Sequence, residues 1–188
     1  NTGVYDRNTT FFQTISPSMD ILISSNLERL LYDMSGENDA EIRDYFGKLA
    51  TEGKYEVSDA IKAKLKDEFY AGCCDDSETK ATINRYFNDY GYLCDTHTAV
   101  AMNVYDSYVA ETGDNAKTVI VSTASPYKFS PAVYEAVNGE YEACDEFELL
   151  EKLNAKTGLA IPKALAELSG KEIRFTDSID KEQMKDYI

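Results

Sequence analysis

Hydrophobic and polar positions recur with a helical period along most of the chain. Between Asn26 and Gly36 the apolar side chains follow one another at intervals of three and four residues, which places them on one helical face: Leu27, Leu30, Leu31 and Met34. The same spacing, with polar residues able to cap the first turn and a glycine near the end, predicts further helices. They cover residues 38–53, 58–72, 77–91, 96–113, 130–139, 145–153 and 161–170.

Three shorter segments predict strands. Met19–Ser24 and Thr118–Ser122 show little alternation, so both faces of these strands are expected to be covered, and Tyr55–Ser58 is a weaker candidate. Long helices between sparse, doubly buried strands predict an α/β fold with a mainly parallel sheet. Two clear strands are too few to cover so many apolar helix faces. Either the pattern misses strands or the other strands belong to polypeptide outside these residues, and we favour the second explanation.

The strand predicted at Thr118–Ser122 is followed at once by a corner, in the stretch TVIVSTASPYKFSP. It delivers the hydroxyl groups of Ser122 and Thr123 to its carboxyl end. In open α/β sheets ligands bind just outside the carboxyl ends of strands, so these hydroxyls are candidate ligand contacts. Serine and threonine also cap turns by bonding to nearby backbone. At the level of the residues both interpretations stay open.

The charge balance narrows the classes of partner. The chain has 188 residues, a formal net charge of −15 and a sequence pI of about 4.4. A surface this acidic argues against nucleic acid and anionic membrane as partners.

No apolar run approaches the roughly 20 residues that a membrane helix needs. The first stretch, NTGVYDRNTTFF, has neither the basic leader nor the apolar region of a signal peptide.

The four cysteines do not form a metal-binding pattern. Cys73 and Cys74 are adjacent, no CxxC spacing occurs, and His97 is the only histidine. A structural zinc site normally needs such spacing, so no metal site is predicted. Reduced thiols in a cytoplasmic protein are the simplest interpretation.

Four stretches of the sequence resemble threonine synthases of the long, bacterial and fungal type, in the same order and with similar spacing. They are TGVYD (2–6), ISPSMDILISSNLERLLYD (15–33), DTHTAVA (95–101) and VSTASPYKF (121–129). The resemblance implies part of a fold type II pyridoxal-phosphate (PLP) enzyme, a tryptophan synthase β-like three-layer α/β/α fold that is incomplete without the upstream chain. Residues 1–140 would then be the carboxyl-terminal part of the PLP-binding domain. Residues 141–188, which match more loosely, would be a helical extension packed on it.

Threonine synthases convert O-phospho-L-homoserine and water to L-threonine and phosphate. The family's Schiff-base lysine and its Gly/Asn-rich phosphate-binding loop lie far upstream, and neither has a counterpart in these residues. The resemblance therefore implies a carboxyl-terminal portion that contains no catalytic residue, is inactive alone and has the missing amino-terminal part as a partner. One alternative is a stand-alone, non-catalytic interaction or regulatory module. Another fold type II lyase, such as a dehydratase, is disfavoured by the SPSMDI and DTHTAV runs.

The resemblance also implies a cofactor contact. In the family a hydroxyl at the end of this strand faces the pyridine nitrogen of PLP, which points to Thr123 with Ser122. Unlike a carboxylate, a neutral hydroxyl does not stabilise a protonated pyridinium, so the ring becomes a gentler electron sink.

Five further residues belong to the expected cleft or depart from the family pattern. Asp95, His97 and Thr98 begin the helix expected to pack beside the strand and would line the active-site cleft. Thr96 stands where the family usually has proline, and Ser125 stands where it usually has histidine. If that histidine acts in catalysis or orients the cofactor, this chain manages without it.

Overall fold

The structure, a computed structural model, describes residues 2–187, so the outer bounds of the two predicted domains, residues 1 and 188, lie outside the described residues. Helices dominate it, as the apolar spacing predicts. They are α1 (Asn26–Met34), α2 (Asp39–Thr51), α3 (Asp59–Glu68), α4 (Asp76–Tyr90), α5 (Thr96–Thr112), α6 (Ser130–Asn138), α7 (Glu146–Thr157), α8 (Lys163–Ala166) and α9 (Met184–Tyr187). Short 3₁₀ turns occupy Pro17–Met19, Pro126–Phe129, Leu168–Gly170 and Lys181–Gln183.

The ends of the helices follow from their capping residues. Asp75 and Glu78 form a capping box at the start of α4, in which each side chain accepts from the other residue's backbone N–H. The helix ends at Gly91, whose φ of 66° lies in the left-handed region that glycine adopts without strain. At the start of α7 the Asp145 side chain caps the helix by accepting from the backbone N–H of Phe147.

The described residues contain a single two-stranded sheet. Strand β1 (Val4–Asp6) pairs antiparallel with β2 (Lys54–Glu56), with Tyr5 opposite Tyr55. The weak strand expected at 55–58 is therefore present but shifted toward the amino terminus. The sheet seen here is not the parallel sheet expected from the pattern.

The two clearer strand predictions are wrong for the described structure. The segment 19–24 begins inside a 3₁₀ turn and continues without strand pairing, and the segment 118–122 has no regular structure. In the described chain no backbone group from 117 to 124 makes a hydrogen bond to other backbone. Instead of being covered on both faces, Val119 and Val121 are 82% and 71% exposed. A strand needs a neighbouring strand, and none is available to either segment here.

Two hydrophobic clusters hold the described residues together. The first joins α1, α2, α3 and β2 and consists of Leu31, Met34, Ile42, Tyr45, Leu49, Tyr55, Val57 and Ile61. The second joins α4 to α7 around Ile83, Ala99, Met102, Val133 and Leu153. Helix α7 thus packs on α6. The domain boundary predicted at residue 140 stays a prediction. None of the described helices is long and apolar enough to cross a membrane.

Helix α5 uses a different face for the core than its apolar spacing indicates. Val100, Val104 and Tyr108 follow one another at intervals of four residues, but they are only half-buried and line an open groove of about 790 Å³ beside residues 66–72. The buried side chains of α5 are instead those of Thr96, Thr98, Ala99 and Met102. The face of α5 that packs in the core therefore includes Thr96 and Thr98 of its first turn.

Candidate functional site

The amino terminus of α5 is built around one fully buried carboxylate. Asp95 is the N-cap residue, and its Oδ1 accepts from the backbone N–H groups of His97 at 2.9 Å and Thr98 at 3.4 Å. Aspartate is among the preferred N-cap residues because it satisfies these otherwise unpaired donors. The partial positive charge at a helix amino terminus also favours the anion. The same sequence feature that starts the helix therefore fixes a carboxylate beneath the predicted cleft.

His97 connects this carboxylate to a distant segment. Its Nδ1 lies 3.1 Å from Asp95 Oδ1, and its Nε2 lies 3.2 Å from the backbone nitrogen of Ser18. A backbone N–H can only donate, so Nε2 accepts and the proton of the neutral ring is on Nδ1, where it is donated to Asp95. The ring also packs against Phe129, with centroids 4.7 Å apart. The imidazole is thus fixed in one tautomer and one orientation.

Thr98 connects the carboxylate to the extended segment 118–122. Its hydroxyl donates a short hydrogen bond to Asp95 Oδ2, and its Oγ1 lies 3.2 Å from Ser122 Oγ. A hydroxyl has one proton, and a carboxylate can only accept. The Thr98 hydroxyl is the donor in both contacts, so its one proton serves either Asp95 Oδ2 or Ser122 Oγ at a time.

Three hydroxyl residues at the corner, Ser122, Thr123 and Ser125, differ in their hydrogen bonds. Ser125 caps the 3₁₀ turn Pro126–Phe129, with its Oγ accepting from the backbone N–H of Tyr127 at 3.3 Å. Thr123 is exposed, and its hydroxyl makes no hydrogen bond within the described residues. The turn-capping interpretation thus fits Ser125, not Ser122 or Thr123.

The structure brings four of the five predicted site residues into one hydrogen-bonded group: Asp95, His97, Thr98 and Ser122. Thr123 adjoins this group through the backbone. Of the two departures from the family pattern, Ser125 has the capping function described above. Thr96 is buried, with its Oγ1 3.4 Å from His97 Nδ1.

Two residues of this region had no predicted function. Ser18 donates its backbone N–H to His97, and Tyr5 holds the segment that follows: its hydroxyl donates to the Leu22 carbonyl at 2.9 Å and accepts from the Ser24 N–H at 2.6 Å. Both lie in stretches that carry the resemblance, SPSMDI and TGVYD. The sequence signal was therefore present, but the partner of each group is visible only in three dimensions.

The electrostatic surroundings of Asp95 affect its neighbour in sequence. Burial, and then the negative charge of Asp95, raise the pKa of the Cys94 thiol to about 12. A buried thiol with such a pKa is not a nucleophile at neutral pH. Within residues 2–187 no group of histidine, cysteine and acidic side chains is arranged to hold a metal ion.

Comparison with known proteins gives this geometry a context. Residues 98–188 match the family described as "Threonine synthase, C-terminal". Over 202 aligned residues the chain is 31% identical to the threonine synthase of Saccharomyces cerevisiae, covering 99% of this chain and 37% of the yeast protein. The chain matches the carboxyl-terminal part of threonine synthases. It is also 39% identical to human threonine synthase-like 1 over 137 residues, which are 72% of this chain and 18% of the human protein.

Solved threonine synthase structures have the same fold. PLP-bound threonine synthase from Brucella melitensis superimposes with a TM-score of 0.75 at 32% identity, covering 93% of this chain and 33% of that one. Yeast threonine synthase gives a TM-score of 0.74 at 31% identity, with 91% and 34% covered. The expected fold class, a partial fold type II α/β domain, is confirmed by these neighbours. The chain spans between about a fifth and somewhat more than a third of the length of the proteins that it matches.

Proposed function

We propose that this chain serves, as the carboxyl-terminal portion of a threonine synthase, in the PLP-dependent conversion of O-phospho-L-homoserine and water to L-threonine and phosphate. In reaction terms the whole enzyme is a carbon–oxygen lyase acting on a phosphate ester. The matches over nearly the full chain support this proposal, as does the structural neighbour that is PLP-bound. The observation that carries it at the level of residues is the exposed hydroxyl of Thr123, which has no hydrogen-bond partner in the described residues and follows Ser122, a hydrogen-bond partner of Thr98.

The donor set at this corner fits the pyridine edge of PLP. A ring nitrogen without a proton accepts a hydrogen bond, and the Thr123 hydroxyl is an exposed donor with no partner in the described residues. The nearby carboxylate of Asp95 does not compete for that position, because it is fully buried and receives four donors from His97 and Thr98. The group offered to the nitrogen is therefore neutral, and a neutral partner leaves the ring unprotonated.

In this proposal the chain supplies one wall of the cleft and no acid–base group. When bound, PLP supplies the electron sink on which the chemistry of the substrate depends. Thr123 and Ser122 orient the ring edge, while Asp95, His97 and Thr98 hold the wall in place. The Schiff-base lysine and the phosphate-binding loop would come from the upstream polypeptide, so residues 1–188 alone are expected neither to retain PLP nor to form threonine.

Substitution of Thr123 in the full-length protein tests the cofactor contact. Thr123→Ser keeps a hydroxyl, whereas Thr123→Val keeps the shape and removes the donor. We expect T123S to stay within about threefold of the wild-type kcat and T123V to lose about tenfold or more, the equivalent of one hydrogen bond. T123V should also shift the absorbance band of the bound cofactor. An unchanged spectrum and rate in T123V would contradict the contact.

The choice of substrate tests the reaction itself. Purified full-length protein loaded with PLP should release phosphate and form threonine from O-phospho-L-homoserine. Threonine and serine, offered separately, should give no keto acid. Keto acid from either amino acid, without threonine formation from phosphohomoserine, would identify a dehydratase instead.

A further inference from the structure

The carboxyl-terminal tail, residues 166–187, leaves the hydrophobic core and does not return to it. Ile161 and Leu165, just before the tail, still pack against the cluster that joins α4 to α7. From residue 166 to residue 187 every side chain is exposed. Within residues 2–187 no backbone group from 172 to 179 makes a hydrogen bond to other backbone. The family match nevertheless extends to residue 188, so the tail is a regular part of the family's carboxyl-terminal region.

One part of the tail, residues 171–176, has the alternating pattern of a half-buried strand. Ile173 and Phe175 are 79% and 87% exposed, whereas the charged residues Glu172 and Arg174 occupy the positions between them. Successive side chains of a strand point to opposite faces, so an extended backbone here places both apolar side chains on one face. The segment therefore has the sequence of a strand but no sheet to pair with among the described residues.

Both ends of this segment are held in place. On the amino-terminal side Leu165 packs against the core. On the carboxyl-terminal side the tail folds back on itself, because the Tyr187 hydroxyl donates to Asp177 Oδ2 at 2.6 Å and Asp180 forms a capping box with Gln183. The backbone of residues 172–176 lies between these two ends with its hydrogen-bonding groups unpaired.

The described chain offers strand edges of its own, and the tail uses none of them. The backbone of segment 118–122 is unpaired, and each strand of the two-stranded sheet has one free edge. A second copy of the chain would offer the same edges. The matched threonine synthases are much longer, since the chain covers 33% of the Brucella protein and 37% of the yeast protein. The polypeptide that precedes the matched region is therefore the source of an edge that these residues lack.

We propose that residues 171–176 add a strand to a sheet edge of the upstream polypeptide of the same protein and so join the carboxyl-terminal tail to it. Main-chain hydrogen bonds supply the attraction in such strand addition, and alternate side chains supply the fit. Ile173 and Phe175 form the apolar side of the contact, while Glu172 and Arg174 stay in water. The presence of that upstream polypeptide rests on the proposed function.

Hydrogen exchange in the full-length, PLP-loaded protein tests whether this strand forms. We expect the backbone amides of residues 172–176 to exchange about 100-fold or more slowly than in a synthetic peptide of residues 171–188, because pairing protects them. Amides in the middle of α4 serve as the internal control for a folded sample. Exchange of 172–176 at the rate of the free peptide would overturn the proposal.

Two double variants of the full-length protein test which face of the strand is covered. Ile173→Ser with Phe175→Ser removes the apolar face, and Glu172→Ser with Arg174→Ser changes the opposite face of the same segment. We expect I173S/F175S to lose about tenfold or more of the protection at residues 172–176, because burial of the two side chains stabilises the contact. E172S/R174S should stay within about twofold of wild type. Equal losses in the two double variants would contradict a one-sided apolar contact and refute the proposal.

Dilution separates the upstream polypeptide from a second copy as the partner. A contact within one chain keeps the same protection when the protein is diluted about 100-fold, whereas a contact between copies weakens by mass action. Loss of protection together with a fall in the mass measured by light scattering would therefore overturn the proposal. Threonine formation by the same samples separates this proposal from the proposed function. Fast exchange of 172–176 in a protein that forms threonine refutes the added strand alone, and slow exchange in a protein that forms none refutes the proposed reaction alone.

Discussion

At the scale of single residues, Cys94 and Asp95 are neighbours that are both buried but differ in their hydrogen bonding. Both are almost completely inaccessible to solvent, but the carboxyl group of Asp95 accepts hydrogen bonds from four donors, whereas burial keeps the Cys94 thiol neutral. The charge on Asp95 adds to the effect of burial and raises the pKa of Cys94 to about 12. Two adjacent residues thus combine one fixed charge with one inert sulfur.

The reactivity of the cysteines follows from this difference. A raised pKa means that the reactive thiolate is absent at any pH well below 12, so Cys94 in the native protein should not react with iodoacetamide at pH 8. Cys73 is exposed and should be alkylated within minutes. Peptide mass spectrometry after timed labelling distinguishes the two sites. Equal labelling of Cys94 and Cys73 in folded protein would contradict the described burial, and labelling of both after denaturation serves as the control.

At the scale of elements, the helices could be predicted from the sequence because their determinants are local. The apolar spacing of α1 and the acidic residue before α5 both lie within the helix or next to it. The strands could not be predicted in the same way, because segment 118–122 has strand-like residues but no partner in the described chain. Apolar spacing does not identify the buried face of α5 either: Val100, Val104 and Tyr108 line a groove, and Ala99 and Met102 pack in the core.

The candidate site was predictable only in part, for a related reason. Resemblance selected Asp95, His97, Thr98 and Ser122, and the structure joins them by hydrogen bonds. Ser18 was missed as their partner because it contributes a backbone N–H, which every residue except proline has. Side-chain chemistry can be read from a sequence, whereas the position of a backbone donor depends on the fold.

The β1 strand should stabilise the segment that follows Ser18. Tyr5→Phe removes a hydroxyl that makes two hydrogen bonds to the backbone of Leu22 and Ser24 while keeping the ring in place. We expect the free energy of unfolding to fall by about 1–2 kcal/mol, because removal of the hydroxyl leaves two partly buried backbone groups without a hydrogen-bond partner. Urea unfolding followed by circular dichroism provides the measurement. Tyr32→Phe is the matched control, since Tyr32 is exposed and its hydroxyl has no partner in the described residues; a loss equal to that of Y5F would contradict the anchoring function.

At the scale of the whole molecule, the two hydrophobic clusters do not merge into one core, and hydrogen bonds together with the aromatic contact between Tyr70 and Tyr108 link the parts of the chain around them. The link includes the bond from Ser18 to His97, the bond from the Ile15 N–H to Asp76 at 3.1 Å and that from Tyr70 to Glu111 at 2.8 Å. Apolar side chains of the extended segments 21–23 and 118–122 remain open to solvent on the described surface, among them Ile21, Ile23, Val119 and Val121. Exposed apolar surface with unpaired backbone is the combination that accepts an added strand.

Hydrogen exchange can show whether the rest of a threonine synthase covers segment 118–122. Within residues 2–187 the backbone amides of Val119–Ser122 have no hydrogen-bond partner, so in the isolated chain they should exchange at nearly the rate of an unstructured peptide. In the full-length protein the proposed sheet would pair them, and exchange should slow by about 100-fold or more, as it does for core strands. Amides in the middle of α4 are the internal control, because that helix is packed in both forms. Equally fast exchange of segment 118–122 in the full-length protein would mean that no strand is added there. The hydroxyls of Ser122 and Thr123 would then not stand at the end of a strand, and the cofactor contact would need another geometric basis.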